Sequence, residues 1–186
     1  MGIGGGSYAG TLKSSSDPLA DGGGVDARGV AIPVELSFGW TPAPGLVLGL
    51  GSYGATIPSP SSRFKNFGTT LESDSGSILL SSIGPFVDYY FNPEAGFHGQ
   101  AGVAFATVAA GKGTNGSTPI PDDDYAGTGW ALMVGAGWET WIGEQWSLGA
   151  LGRLQYAGAS LEASNGGNEA DVNALFLAIL ATVTYH

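Results

Sequence analysis

From Val30 to Trp40 every second residue is large and apolar: Val30, Ile32, Val34, Leu36, Phe38 and Trp40. Ala31, Pro33, Glu35, Ser37 and Gly39 lie between them. Strict alternation puts the two sets on opposite faces of a β-strand. The pattern recurs. In 78–91, Ile83, Pro85, Val87, Tyr89 and Phe91 alternate with Ser82, Gly84, Phe86, Asp88 and Tyr90. In 97–109, Phe97, Ala101, Val103 and Phe105 oppose His98, Gln100, Gly102 and Ala104. In 128–141, Trp130, Leu132, Val134 and Trp138 oppose Ala131, Met133, Gly135 and Glu139. In 146–156, Trp146, Leu148, Leu154 and Tyr156 oppose Gly149, Leu151, Arg153 and Gln155. The last strand, 174–185, carries Leu175, Leu177, Ile179, Val183 and Tyr185 on one face. Segment 46–57 has Leu46, Leu48 and Leu50 against small glycines, and Gly-rich 2–13 supplies an eighth strand; the parity of these two is open.

Short turns fall near 41–45, 92–96 and 142–145, and long polar segments at 14–28, 58–76, 111–127 and 158–172. Short and long connections therefore alternate, each kind at its own end of a meander. Eight strands of about 10 residues arranged in this way predict an all-β fold: an eight-stranded antiparallel up-and-down transmembrane β-barrel, one domain over 1–186. Closure would satisfy every backbone group in lipid, as an open sheet cannot.

The alternation alone does not say which face is inside; composition does. Charged residues make up only 12% of the chain, about half the usual soluble share. The strands keep Glu35, Asp88, Glu139 and Arg153, all on the face rich in Gly, Ala and Ser. Such residues suit the narrow interior of an eight-stranded barrel. A soluble barrel would instead show Lys, Glu and Arg on one face. Aromatics on the large apolar face cluster beside the short turns: Phe38, Trp40, Tyr89, Phe91, Phe97, Trp138, Trp146 and Tyr185. They form an expected interfacial girdle. A second group lies toward the long segments: Trp130, Tyr156, Tyr53 and Phe105. The remaining charges sort into the long segments, with Asp17, Asp21, Asp26, Glu72, Asp74, Asp122–Asp124, Glu162, Glu169 and Asp171 beside Lys13, Arg28, Arg63, Lys65 and Lys112.

The net charge of -10 argues against nucleic acid as a partner. With no Cys there is no disulfide framework and no thiolate chemistry. No apolar run is long enough for a membrane helix. The start, "MGIGGGSYAG", has no basic region and no signal core, and reads as a mature chain whose export signal has gone.

With this pattern established, the whole chain resembles the small eight-stranded outer-membrane barrels of Gram-negative bacteria, the OmpA/OmpX-like class. The ending "ATVTYH" is similar to that class's C-terminal assembly signal, with Tyr185 preceded by alternating apolar residues; it departs in finishing on His186. The stretch "IGPFVDYYFNPEAGFHGQAGVAFATV" also resembles single-barrel proteins of deltaproteobacteria. The resemblance implies a bacterial outer-membrane location, with short turns toward the periplasm and long segments outside.

Glu35, Asp88, Gln100, Glu139 and Arg153 are the expected polar network of the lumen. Asp88 lies opposite Gln100 and Tyr90 opposite His98 across the turn at Glu94, and Arg153 is the expected partner of Glu35. One guanidinium cannot neutralise three carboxylates. The favoured reading is a polar plug that fixes register; a narrow cation-selective path is the alternative. A lipid-modifying enzyme is a second alternative, because lipid A deacylases on such a fold use a Ser–His pair near the outer rim. His98 and His186, the only histidines, belong at the other end, and no nucleophile-elbow or HExxH motif occurs. The chain is therefore read as not an enzyme, with no cofactor and no metal. The acids of "PDDDYAG" lack EF-hand spacing and read as a solvated loop. The expected partners are outer-membrane lipid and lipopolysaccharide. The chain is expected to be a monomer that could meet an extracellular ligand through 14–28, 58–76, 111–127 and 158–172.

Overall fold

The computed structural model describes residues 2–14, 24–66, 69–73, 76–92, 95–111, 125–163 and 168–185. Ten strands run through them: β1 Gly2–Ser14, β2 Gly24–Ala43, β3 Leu46–Ile57, β4 Ser61–Asn66, β5 Thr69–Ser73, β6 Ser77–Asn92, β7 Phe97–Gly111, β8 Tyr125–Trp141, β9 Trp146–Ala163 and β10 Asn168–Tyr185. Eight of them form an antiparallel ring, β1-β2-β3-β6-β7-β8-β9-β10. It closes where β1 pairs with both β10 and β2, from Gly4↔Ala31 to Thr11↔Gly24 on the β2 side.

The other two strands make a hairpin that the sequence reading had placed within the long segment 58–76. β4 takes up pairing with β2 above the point where β3 stops: Ile32 faces Thr56 of β3, and Arg28 faces Ser61 of β4. Pro58 and Pro60 break the strand between them. The segment 158–172 is also mostly strand, since β9 runs to Ala163 and β10 starts at Asn168. Ladder pairing needs only backbone groups, so it continues past the apolar zone into polar sequence. Asp26, Glu162, Glu169 and Asp171 therefore lie on strands. Asp17, Asp21, Lys112, Asp122–Asp124 and His186 lie outside the described residues.

The outward row is apolar along the ring. Val30, Leu36, Phe38 and Trp40 of β2 are exposed, as are Ile83 of β6, Val103 of β7, Val134 of β8 and Leu177, Ile179 and Val183 of β10. From Trp40 to Val30 is about 33 Å along the strand, or roughly 25 Å of height at a 40° tilt. Polar pairs appear on the outer face toward the long-connection end: Tyr156 Oη donates to Asn173 Oδ1 at 2.6 Å, and Ser160 Oγ to Asp171 Oδ1 at 3.0 Å.

The interior has two parts. Toward the long connections it is apolar, where Ile57, Leu80, Val108, Leu161 and Phe176 pack with Ala27, Ala31, Ala106, Ala131, Ala157 and Val172. Toward the short turns it is mixed and polar. Polar residues thus occupy only part of the lumen, and large aliphatic side chains pack together in the other part. The parity that the sequence leaves open for this strand is set by Tyr53, which is fully buried in one row with Val47, Gly49, Gly51, Ala55 and Ile57. Gly51 makes this placement possible, because a Cβ there would strike the Tyr53 ring.

Candidate functional site in the polar half of the lumen

Alternation on β2, β6, β7, β8 and β9 turns Glu35, Asp88, Gln100, Glu139 and Arg153 inward. All but Glu35 are buried, and Glu35 is half-buried. They form separate groups at different heights.

At mid-height Arg153 Nη1 donates to Glu35 Oε2 at 2.5 Å. The guanidinium carbon also sits 5.2 Å from the centroid of the Tyr53 ring, a cation–π contact. Beside it Gln155 Nε2 donates to Ser82 Oγ at 3.0 Å, and Ser82 Oγ donates to the Tyr53 carbonyl at 3.2 Å.

Nearer the short turns Asp88 faces Gln100 and Tyr90 faces His98 in register. The charge-bearing contact is diagonal. His98 Nδ1 lies 2.8 and 2.9 Å from the two Asp88 oxygens, a geometry in which Nδ1–H donates to the carboxylate. The Tyr90 ring stacks on the imidazole at 4.8 Å. Sequence reasoning left His98 as an interior polar residue. The diagonal between positions 88 and 98 was the signal for its pairing.

Lowest is Glu139. Ser147 Oγ donates to Oε2 at 2.7 Å and Tyr90 Oη to the same oxygen at 3.1 Å. Thr184 Oγ1 donates to Oε1 at 2.8 Å, with Thr182 Oγ1 at 3.4 Å. Hydroxyls from β6, β9 and β10 thus converge on one carboxylate of β8. The turns hold the frame: Tyr90 N donates to Gly45 O at 2.7 Å, and Glu139 N to Gly96 O at 3.0 Å. Gly96 has φ +70°, and a Cβ there would run into the Glu139 carbonyl oxygen. A cavity of about 110 Å³ opens here, lined by Thr41, Val47, Tyr90, Glu139, Trp141 and Ser147 among others.

Among the described residues, three buried side-chain atoms have no hydrogen-bond partner: Tyr53 Oη, His98 Nε2 and Gln100 Oε1. Nε2 faces the Cα of Gly137, where a Cβ would collide with it. No cluster of three or more His, Asp or Glu side chains suited to a metal occurs among the described residues.

Trp40, Tyr89, Phe91, Phe97, Trp138, Trp146 and Tyr185 are all exposed on the outer face. Five of them make ring contacts at the short-turn end. Tyr89 meets Phe91 edge-on at 5.4 Å, Phe91 stacks on Phe97 at 5.4 Å, and Trp146 meets Tyr185 at 5.1 Å. Toward the other end Phe105 faces Trp130 in register, and Trp130 lies 5.5 Å from Tyr156.

No protein-family model and no curated protein sequence matches the chain. Solved structures do match in fold. The outer membrane protein OprG from Pseudomonas aeruginosa is 12% identical with a TM-score of 0.50, over 100% of this chain and 95% of that one. Neisserial surface protein A (NspA) is 17% identical with a TM-score of 0.47, over 100% and 96% of the two chains. The outer membrane protease OmpT from Escherichia coli is 10% identical with a TM-score of 0.44, over 99% and 94%. The likeness to OprG shows the fold, that of a small bacterial outer-membrane β-barrel.

Proposed function

We infer that this outer-membrane β-barrel is closed to conduction and serves as a structural element that displays its long-connection end at the cell surface. The observation that carries the reading is the apolar half of the lumen. Ile57, Leu80 and Leu161 are fully buried, and Val108 and Phe176 nearly so. Residues from seven of the eight ring strands meet in that layer. A hydrated ion crossing it would lose its water to hydrocarbon side chains, at a cost of many kcal/mol. The polar half then acts as a register lock, with each carboxylate fixed by its own partners. The outer aromatics anchor the barrel at the lipid interface, and its lipid-facing belt meets outer-membrane lipid and lipopolysaccharide.

Two other roles fit less well. A cation-selective pore would need a continuous polar path, which the apolar layer interrupts. A Ser–His hydrolase would need a hydroxyl at His98 Nε2, but that atom packs against Gly137. Reconstitution into planar bilayers tests the reading. Wild-type protein is expected to give no steady conductance, and reproducible cation-selective openings would overturn it.

A further inference from the structure

We propose that the outer wall of β1, β2 and β4 carries a docking site, centred on Arg28, for a phosphate of lipopolysaccharide. Arg28 is exposed and stands on the outward row of β2, directly beyond Val30. Its two in-register neighbours are serines: Ser7 of β1 on one side and Ser61 of β4 on the other. Residues paired in register share a face and lie about 5 Å apart. The row thus presents hydroxyl, guanidinium and hydroxyl side by side on three strands. Each of these groups can donate a hydrogen bond. A guanidinium fork also matches two oxygens of a phosphate at once.

Arg28 differs from the cations that have an acid beside them. Arg63 stands in register between Asp26 and Glu72, and Lys13 faces Glu169. Arg153 pairs with Glu35 inside the lumen. Among the described residues no carboxylate pairs with Arg28. Lys65, in register with Gly24 and Thr70, adds positive charge farther along β4. Height selects the source of the phosphate. Ser7 also faces Leu175, an exposed residue of the lipid-facing row of β10. Arg28 lies two residues beyond Val30, about 7 Å of strand or roughly 5 Å of height. That puts it about 30 Å above Trp40, one hydrocarbon thickness away. A guanidinium at that level meets lipid headgroups, whose phosphates supply its counter-charge. The inference rests on the reading above that the long-connection end faces the cell surface, where the phosphorylated lipid is lipopolysaccharide.

The test titrates the detergent-solubilised barrel, under native mass spectrometry, with bisphosphorylated lipid A. Dephosphorylated lipid A, phosphatidylglycerol and inorganic phosphate are titrated beside it. Saturable binding of lipid A is expected, at least tenfold tighter than of its dephosphorylated form. Arg28→Gln should weaken lipid A binding at least tenfold and leave the dephosphorylated form unchanged. Arg28→Lys keeps the charge without the fork and should recover only part of that loss. The double variant Ser7→Ala, Ser61→Ala should weaken binding severalfold, and it decides the matter should Arg28→Gln not fold. Folding of each variant is read separately, from the change in gel mobility on heating. Equal affinity with and without the phosphates, or wild-type affinity in the folded variants, would overturn the proposal. Binding of phosphatidylglycerol or inorganic phosphate as tight as that of lipid A would overturn the assignment to lipopolysaccharide. None of these outcomes depends on whether the lumen conducts.

Discussion

Arg153 offers the sharpest test of how the lumen is held together. Its side chain is 2% exposed and that of Glu35 is 12% exposed, so water screens the pair little. Arg153→Met keeps much of the length but leaves the Glu35 carboxylate facing a thioether. Stranding one member of a buried ion pair costs about 3–5 kcal/mol. Lost contact with the Tyr53 ring acts in the same direction. Glu35→Gln strands the guanidinium with a neutral acceptor and should cost about 2–3 kcal/mol. In the double variant neither charge is present, so the loss should fall short of the sum by about 2–3 kcal/mol. Reversible urea unfolding from phospholipid vesicles, followed by tryptophan fluorescence, measures all three. Additivity within about 0.5 kcal/mol, or an Arg153→Met loss below about 1 kcal/mol, would refute the argument.

Three further outcomes are expected. Tyr53→Phe deletes a buried hydroxyl that has no hydrogen-bond partner and should raise stability by about 1 kcal/mol in the same urea assay; a loss of that size would mean the hydroxyl is satisfied. Gly96→Ala forces a side chain into the left-handed region and against the Glu139 carbonyl, so folding yield should drop and stability should fall by at least about 1–2 kcal/mol. Leu177→Arg places a charge on the outer row near mid-height and should cost about 2–4 kcal/mol in a bilayer, whereas a water-facing position would tolerate it.

The outer wall was legible in the sequence because lipid favours apolar side chains, and the large outward residues in mid-strand, such as Leu36, Ile83, Val103, Val134 and Leu177, follow that rule. The pairing of Glu35 with Arg153 follows from two interior charges at one height. The interior was less legible, since two chemistries share it. In Ile78–Leu79–Leu80 both faces are apolar, so the alternation vanishes just where Ile78 and Leu80 enter the apolar layer. The side taken by Tyr53 is not legible, because its strand is Gly-rich and the size contrast that sets parity is weak. Space vacated by Gly51 takes the ring inside. The β4–β5 hairpin, "SSRFKN" and "TTLES", is polar and short, and is defined by pairing with the upper end of β2 rather than by periodicity. At Glu139 the carboxylate could be placed inside, but of the hydroxyls around it only that of Ser147 is near in sequence, and those of Tyr90 and Thr184 come from distant strands.

The central claim is that the chain is inside out, with odd positions of β10 in lipid and even positions in the lumen. The absence of native cysteine allows single nitroxide labels at each position from Leu175 to Leu180 in vesicle-embedded protein. Collision rates with oxygen, which concentrates in lipid, and with a water-soluble nickel chelate are then measured. At Leu175, Leu177 and Ile179 oxygen should dominate, while Phe176, Ala178 and Leu180 should be shielded from both. Nickel collisions dominating at the odd positions would contradict the account.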